Sequence, residues 1–191
     1  FNLLKDYPKP KESRIVNKNL RNIQSRIIAS YRDKEFFDGS RNNGYGGFKY
    51  DERWKPIVKQ ICTEYNLSNK SSFLQLGCEK GFLLHDLKFF LPDAKIVGVE
   101  KSSYAIKNCK KTVKNYIKKS NYIDLEFSDN TFDFILAIGV IYSLTLENAI
   151  KCLKEIQRVG KGKSFITLAS YTNEKDYWLF KDWTVLGTLL L

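Results

Sequence analysis

The sequence predicts an α/β fold: a doubly wound, mainly parallel sheet flanked by helices, with an N-terminal helical extension. Three observations predict it. From Phe73 onward, short apolar runs alternate with stretches of helical periodicity. Those runs are apolar on both faces, as expected for strands covered by helices on each side. The first run stops on a glycine turn, Leu76-Gly77-Cys78-Glu79-Lys80-Gly81-Phe82. A chain of 191 residues, 43% hydrophobic and 28% charged, has the size and composition to bury a core of this kind.

Residues 1–11 are polar, carry Pro8 and Pro10, and read as an irregular arm. A helical pattern starts at Glu12, with Val16, Leu20, Ile23, Ile27 and Tyr31 on one stripe, and Asp38-Gly39 ends it. A glycine-rich loop follows, Asn42-Asn43-Gly44-Tyr45-Gly46-Gly47. A second helix places Trp54, Ile57, Val58, Ile61, Cys62 and Tyr65 on one face. These features set a division into an arm and loop, 1–53, and a main domain, 54–191.

In the main domain, Phe73-Leu74-Gln75-Leu76 is the first strand, and Phe82 to Leu91 is a helix ended by Pro92. Ile96-Val97-Gly98-Val99 is the second strand, closed by Glu100. Ser102 or Ser103 caps a helix with Ala105, Ile106, Cys109 and Val113 inward. Tyr116-Ile117 is a weak third strand, and Phe132 to Ile138 a fourth. Leu146 to Val159 is a helix with Ala149, Ile150, Leu153 and Ile156 inward, and Ser164 to Ala169 is a fifth strand.

Composition excludes several classes. No apolar run reaches the ~20 residues of a membrane helix, and no charged-then-apolar signal segment stands at the start. The expectation is a cytoplasmic domain. The four cysteines are far apart and there is one His, so neither a metal site nor a disulfide framework is expected. The chain has no Met and stops on Leu189-Leu190-Leu191, so a trimmed chain lacking C-terminal strands is expected. The net charge of +11 admits a phosphate-rich partner. Lys greatly outnumbers Arg, however, which fits a compositional bias better.

A parallel sheet of this type binds ligands at the carboxyl ends of its strands. The glycine turn lets backbone approach a ligand closely, and Glu100 stands where a carboxylate can take both hydroxyls of a ribose. A dinucleotide fingerprint needs Gly at 77, 79 and 82, but Glu79 and Phe82 stand at the last two. A phosphate loop is absent too, and Glu79 would repel a pyrophosphate. S-adenosylmethionine (SAM) is cationic and carries no phosphate, so it suits this turn better.

At these residues the sequence resembles the class I SAM-dependent methyltransferases, over about residues 54–170. Their first strand and turn, V-L-D-x-G-C-G-x-G, correspond to Phe73-Leu74-Gln75-Leu76-Gly77-Cys78-Glu79-Lys80-Gly81. Val97-Gly98-Val99-Glu100-Lys101-Ser102 resembles their second acidic segment. Leu125-Glu126-Phe127-Ser128-Asp129-Asn130-Thr131-Phe132-Asp133 resembles L-P-F-x-D-x-S-F-D. The resemblance implies a Rossmann-like fold with SAM as cofactor and S-adenosylhomocysteine as product. It implies that Gly77, Cys78, Glu79 and Gly81 line the methionine end. Glu100 would hold the ribose, with Lys101 and Ser102 beside it. Asn121 would meet the adenine amino group, with Tyr122 stacking beside it. Ile138 to Tyr142 would floor the site. Gln75, Glu79 and Asn121 depart from the family's Asp, Gly and Asp.

The segment from Phe36 to Trp54, with Gly44-Tyr45-Gly46-Gly47 at its centre, is similar to a leader in a bacterial subgroup of these enzymes. It reads as a glycine-hinged lid carrying Tyr45, Phe48 and Tyr50. Methyl transfer is an in-line displacement, so the enzyme supplies mainly alignment, with a base where the acceptor starts protonated. Tyr142 and Tyr45 are the candidate catalytic residues, with Tyr171 a further one. His85 reads as a helix-surface residue. The expected activity is methylation of a small molecule, such as a sugar or cell-surface precursor. The alternatives are an RNA or protein methyltransferase and a non-catalytic SAM-binding module. Nucleic acid is the less favoured partner, and the sequence leaves the oligomeric state open.

Overall fold

The structure, a computed structural model, describes residues 19–187 together with Leu3, Lys5, Tyr7, Pro8, Val16 and Asn17. In chain order the helices are α1 (Ile23–Ser30), α2 (Lys34–Phe37), α3 (Lys55–Glu64), α4 (Phe82–Phe90), α5 (Ser103–Lys107), α6 (Leu146–Val159) and α7 (Glu174–Trp183). The strands are β1 (Ser72–Leu76), β2 (Lys95–Glu100), β3 (Ile117–Lys119), β4 (Phe134–Ala137) and β5 (Ser164–Ile166). They form one sheet in the order β3-β2-β1-β4-β5, and every pairing is parallel. The chain starts at the centre with β1, winds outward to β3, then crosses back to β4. The crevice between β1 and β4 is the point where strand order reverses.

Alternation along the strands builds two cores. Leu74, Leu76, Ile135 and Ala137 face α6, where Ala149, Cys152, Ile156 and Val159 complete one cluster. Phe73, Ile96, Phe134 and Leu136 face α3 and α4, meeting Ile57, Val58, Ile61, Leu83, Leu84 and Leu87. Gln75 falls on a strand whose five residues are all buried, and its side-chain oxygen has no partner among the described residues.

The arm makes a third, smaller cluster. Ala29, Phe36 and Phe37 are buried against Ala105 of α5, with Phe48, Tyr104, Val185 and Leu186 around them. Arg21 also donates to the carbonyls of Arg41 (2.8 Å) and Gly44 (3.1 Å). The arm is thereby fixed over the carboxyl ends of β1 and β2.

Several expectations need correction. The arm's helix is shorter than its stripe: α1 covers Ile23–Ser30, and the segment from Glu12 to Ile15 lies outside the described residues. Ile23 is 77% exposed and Tyr31 70%, whereas Ser25 and Ala29 face inward. Small residues win that face because the aromatic cluster of α2 sits close behind it. The helix proposed after Ser102 is two pieces, α5 and a 3-10 turn at Lys111–Tyr116, which keep Ala105 and Val113 buried. On α6, Ile150 and Leu153 point outward. Helix α7 was not expected at all. Residues Leu189 to Leu191 lie outside the described residues. Among the described residues no helix is long and apolar enough to cross a membrane, and no cluster has the makings of a metal site.

Candidate functional site

The turn after β1 is held by its neighbour strand. The amides of Gly77 and Cys78 both donate to the Val99 carbonyl, at 2.9 and 3.3 Å. Gly77 has φ +65°, and a Cβ there would stand 2.7 Å from Val140 Cγ2. Only glycine allows β1 and the segment after β4 to approach this closely. Glu79 takes the same left-handed conformation at φ +53° without being a glycine. This explains why a glycine is natural at that position, and it means that Glu79 carries backbone strain.

Glu100 is fully buried at the end of β2. One carboxylate oxygen accepts the Glu79 amide (2.9 Å) and the other the Ser102 amide (2.8 Å). Each oxygen keeps a lone pair for a further donor. Beside it lies the Glu79 carboxylate, which accepts the Tyr45 hydroxyl at 2.6 Å. Arg32, from the arm, stands 3.8 Å from the same oxygen. Tyr45 stacks on Phe48 at 4.4 Å and Phe48 on Phe82 at 4.8 Å, so the expected lid lies over the turn and reaches α4.

A buried lysine ties lid to turn. Lys80, 6% exposed, donates to both oxygens of Asp38 and to the Phe48 carbonyl (3.0 Å). Asp38 also accepts the Tyr104 hydroxyl (2.7 Å) and the Phe48 amide (3.1 Å). Burial alone would raise the Asp38 carboxyl, but the Lys80 and Tyr104 hydrogen bonds outweigh it and hold it below its ordinary value.

The other expected site residues fall as follows. The Cys78 side chain points into the core, where burial pushes its thiol well above the ordinary range, so only its backbone faces the turn. Gly81, at φ +71°, starts α4. Ser102 caps α5 by accepting the Ala105 amide (3.0 Å), and its hydroxyl donates to the Arg32 carbonyl. Lys101 Nζ stands 4.5 Å from the centre of the Tyr122 ring. Tyr122 is buried, its hydroxyl 3.7 Å from where a Gly77 Cβ would be. Asn121 spends its side-chain oxygen on the amides of Ile123 and Asp124, both at 2.9 Å. Ile138 is half-buried against the α3–α4 core. Tyr142 meets Phe180 of α7 edge to face. Burial, then Glu79, pushes the hydroxyls of both Tyr45 and Tyr142 upward, so each keeps its proton at neutral pH. In that state each can donate a hydrogen bond. His85 bonds Thr112 (2.8 Å), away from this cluster. Sequence reasoning missed Arg32, Asp38 and α7. Arg32 was hidden because it follows Tyr31, the last apolar position of the arm's stripe, where a charge reads as a solvated helix end.

Burial pushes Glu79 up to about 7, with Glu100 adding to the rise and Arg32, Tyr45 and Lys80 opposing it. A carboxyl raised above its unfolded value favours folding when protonated, and that contribution is lost as pH rises from its ordinary 4.5 through about 7. The unfolding temperature is therefore expected to fall across this window, and Glu79→Gln to flatten the fall. A melting series from pH 5 to 8 checks it; identical slopes in the two proteins would contradict it.

Residues 67–187 match the family described as Methyltransferase domain, and the chain belongs to that family. An uncharacterized protein of Methanocaldococcus jannaschii is 30% identical over 120 residues, which are 61% of this chain and 50% of that protein. The chain thus spans about half the length of the curated relative it matches. Among solved structures, a candidate S-adenosyl-L-methionine-dependent methyltransferase of Methanococcus maripaludis aligns with TM-score 0.52 at 14% identity, over 85% of this chain and 68% of that one. A protein of Pyrococcus horikoshii OT3 aligns with TM-score 0.52 at 21% identity, over 69% and 60%. The cyclase SpnF aligns with TM-score 0.55 at 15% identity, over 72% and 56%. These three likenesses are of fold.

The cofactor of this family is SAM. The residues here fit it: a closely approached glycine turn, a buried carboxylate with lone pairs to spare, and a second carboxylate facing a cation.

Proposed function

We propose that the chain is the cofactor-binding core of an enzyme that methylates a small molecule. The observation that carries this reading is Glu100, fully buried at the end of β2 with its oxygens anchored beside the Gly77 turn. A carboxylate is costly to bury unless donors meet it, and two ribose hydroxyls would complete its shell. In this reading SAM, when bound, supplies an activated methyl group. Gly77 and Gly81 give its methionine end room, and Glu79 pairs with its ammonium. Tyr122 and Lys101 flank the adenosine. Asn121 meets the adenine by its side-chain amide hydrogens, since its oxygen is engaged.

The chain's own work is alignment and exclusion of water. The ring stack from Tyr45 through Phe48 to Phe82 closes the site, and Asp38–Lys80 holds that lid down. Tyr142, in the 3-10 turn Ile141–Ser143 that follows β4, donates a hydrogen bond to the acceptor and orients it. A closed aromatic lid suits a small acceptor better than a polymer. An open groove on α7, lined by Tyr171, Asn173, Glu174, Tyr177 and Trp178, offers ring faces and polar groups of the kind that hold a sugar. The leader's resemblance to a bacterial subgroup points the same way.

The second reading is an RNA substrate. The net charge of +11 and the lysines at 107, 110, 111, 114, 118 and 119 favour it. An assay for S-adenosylhomocysteine release, run against a panel of sugars and against RNA, separates the two. Release with a small acceptor supports the first reading. Release with RNA alone, falling steeply with salt, overturns it. Cofactor binding with no release on any acceptor favours a non-catalytic module.

A further inference from the structure

Helix α7 carries a ring-lined groove outside the cofactor cleft. Tyr171, Asn173, Glu174, Tyr177 and Trp178 line it, and its volume of about 430 Å³ is within the range of small-ligand sites. We propose that this groove binds a sugar bearing a protonated primary amine, with the rings against the sugar's C–H face and Glu174 against its ammonium. The proposal deepens the small-acceptor reading above, and rests on it for the bound sugar being the methyl acceptor.

The rings form corners. Tyr171 and Tyr177 meet at 5.2 Å and 71°, and Tyr177 and Trp178 at 5.1 Å and 81°. A molecule in such a corner meets one ring beneath it and another at its side. Tyr171 and Trp178 are about half exposed, and α7 buries none of its ten residues. Large aromatic surface gathered in one groove and left in water marks a place where something binds. Phe180 of the same helix meets Tyr142 edge to face at 6.0 Å, so α7 adjoins the side of the cleft where the acceptor is expected.

The polar groups decide the charge of the ligand. The side-chain nitrogens of the groove are engaged within it. Trp178 Nε1 donates to Glu174 (3.3 Å), and the Asn173 amide donates to Asp176 (3.0 Å) and to Thr172 (3.1 Å). The Asn173 oxygen accepts the Asp176 amide (2.9 Å). What remains for a ligand is the Glu174 carboxylate, the ring faces and the tyrosine hydroxyls. That set attracts a cation and repels a phosphate or a carboxylate. The helix as a whole agrees: Glu174, Asp176 and Asp182 outnumber Lys175 and Lys181, in a chain of net charge +11. Tyr177 already draws one ammonium of the chain itself, Lys181 Nζ, at 5.6 Å from its ring centre. A primary ammonium donates N–H bonds to Glu174, whereas a quaternary ammonium has none to give.

The test is a saturation-transfer NMR titration of the whole chain at pH 6, without cofactor, with D-glucosamine, D-glucose and N-acetyl-D-glucosamine. All three share the pyranose ring, and only the first is charged. Glucosamine is expected to bind about fivefold or more tighter than either neutral sugar. Glu174→Gln is expected to remove most of that preference, and Trp178→Ala to weaken all three. Unchanged S-adenosylhomocysteine affinity in Glu174→Gln shows that this variant folds. Equal affinities for the three sugars in wild type, a full preference retained in Glu174→Gln, or no glucosamine binding overturns the proposal. Choline binding more tightly than glucosamine also overturns it, and assigns the groove to a quaternary ammonium. Glucosamine binding by a chain that does not bind S-adenosylhomocysteine upholds the groove and overturns the acceptor role.

Discussion

Replacing Glu100 with Ala is expected to weaken S-adenosylhomocysteine binding about a hundredfold or more. The carboxylate would give up two charge-assisted hydrogen bonds to a ribose, each worth roughly 1.5–3 kcal/mol. Each 1.4 kcal/mol is about a factor of ten in affinity. The substitution also frees the amides of Glu79 and Ser102, which Glu100 now accepts at 2.9 and 2.8 Å. The turn carrying Glu79 would loosen, adding to the loss. Glu100→Gln keeps the size and one acceptor, so it should lie between wild type and Glu100→Ala. Calorimetry on all three measures the effect, and thermal melting separates lost binding from lost fold. A Glu100→Ala protein that is folded and binds within threefold of wild type would show that Glu100 is a structural anchor only.

The largest effect on stability is expected at Asp38, far in sequence from the turn it secures. Asp38→Ala leaves the buried Lys80 ammonium with the Phe48 carbonyl as its remaining hydrogen-bond acceptor among the described residues and removes the acceptor of the Tyr104 hydroxyl. Breaking a fully buried pair on one side typically costs about 3–5 kcal/mol; the Asp38 side chain is 26% exposed, so the loss here should fall at or below the lower end of that range. The loss should appear as a lower denaturant midpoint. It should also be pH-linked. Asp38 sits below its unfolded value of 3.8, so its contribution is present above that pH and disappears as pH falls through the lower folded value. A change under about 1 kcal/mol would mean that Lys80 finds water when Asp38 is removed.

Much of the sheet was legible because each β/α unit announces itself locally. The apolar run Phe73 to Leu76, stopped by Gly77, states both the strand and its end. The helix from Leu146 to Val159 is marked by its own spacing, and the structure adds its cap, Thr145, which accepts the Asn148 amide. The family segments around Gly77 and Glu100 were legible for the same reason, since strand, turn and acid follow one another directly. What stayed hidden depends on tertiary contact. The stripe Ile23, Ile27 and Tyr31 has helical spacing, but which face is buried was decided by Phe36 and Phe37 packing on Ala29. Spacing along α6 likewise could not tell that Ile150 and Leu153 lie outside. Arg32 and Asp38 carry ordinary surface residue types; their importance arises from partners, Glu79 and Lys80, on a distant segment. Asn121 matched a binding position by sequence, yet its oxygen closes its own turn.

Calorimetric titration of the wild-type chain with S-adenosylhomocysteine tests the central claim most directly. The account predicts saturable one-to-one binding in the micromolar range, lost in Glu100→Ala. Absence of binding at millimolar ligand, in a protein that melts cooperatively, would contradict it.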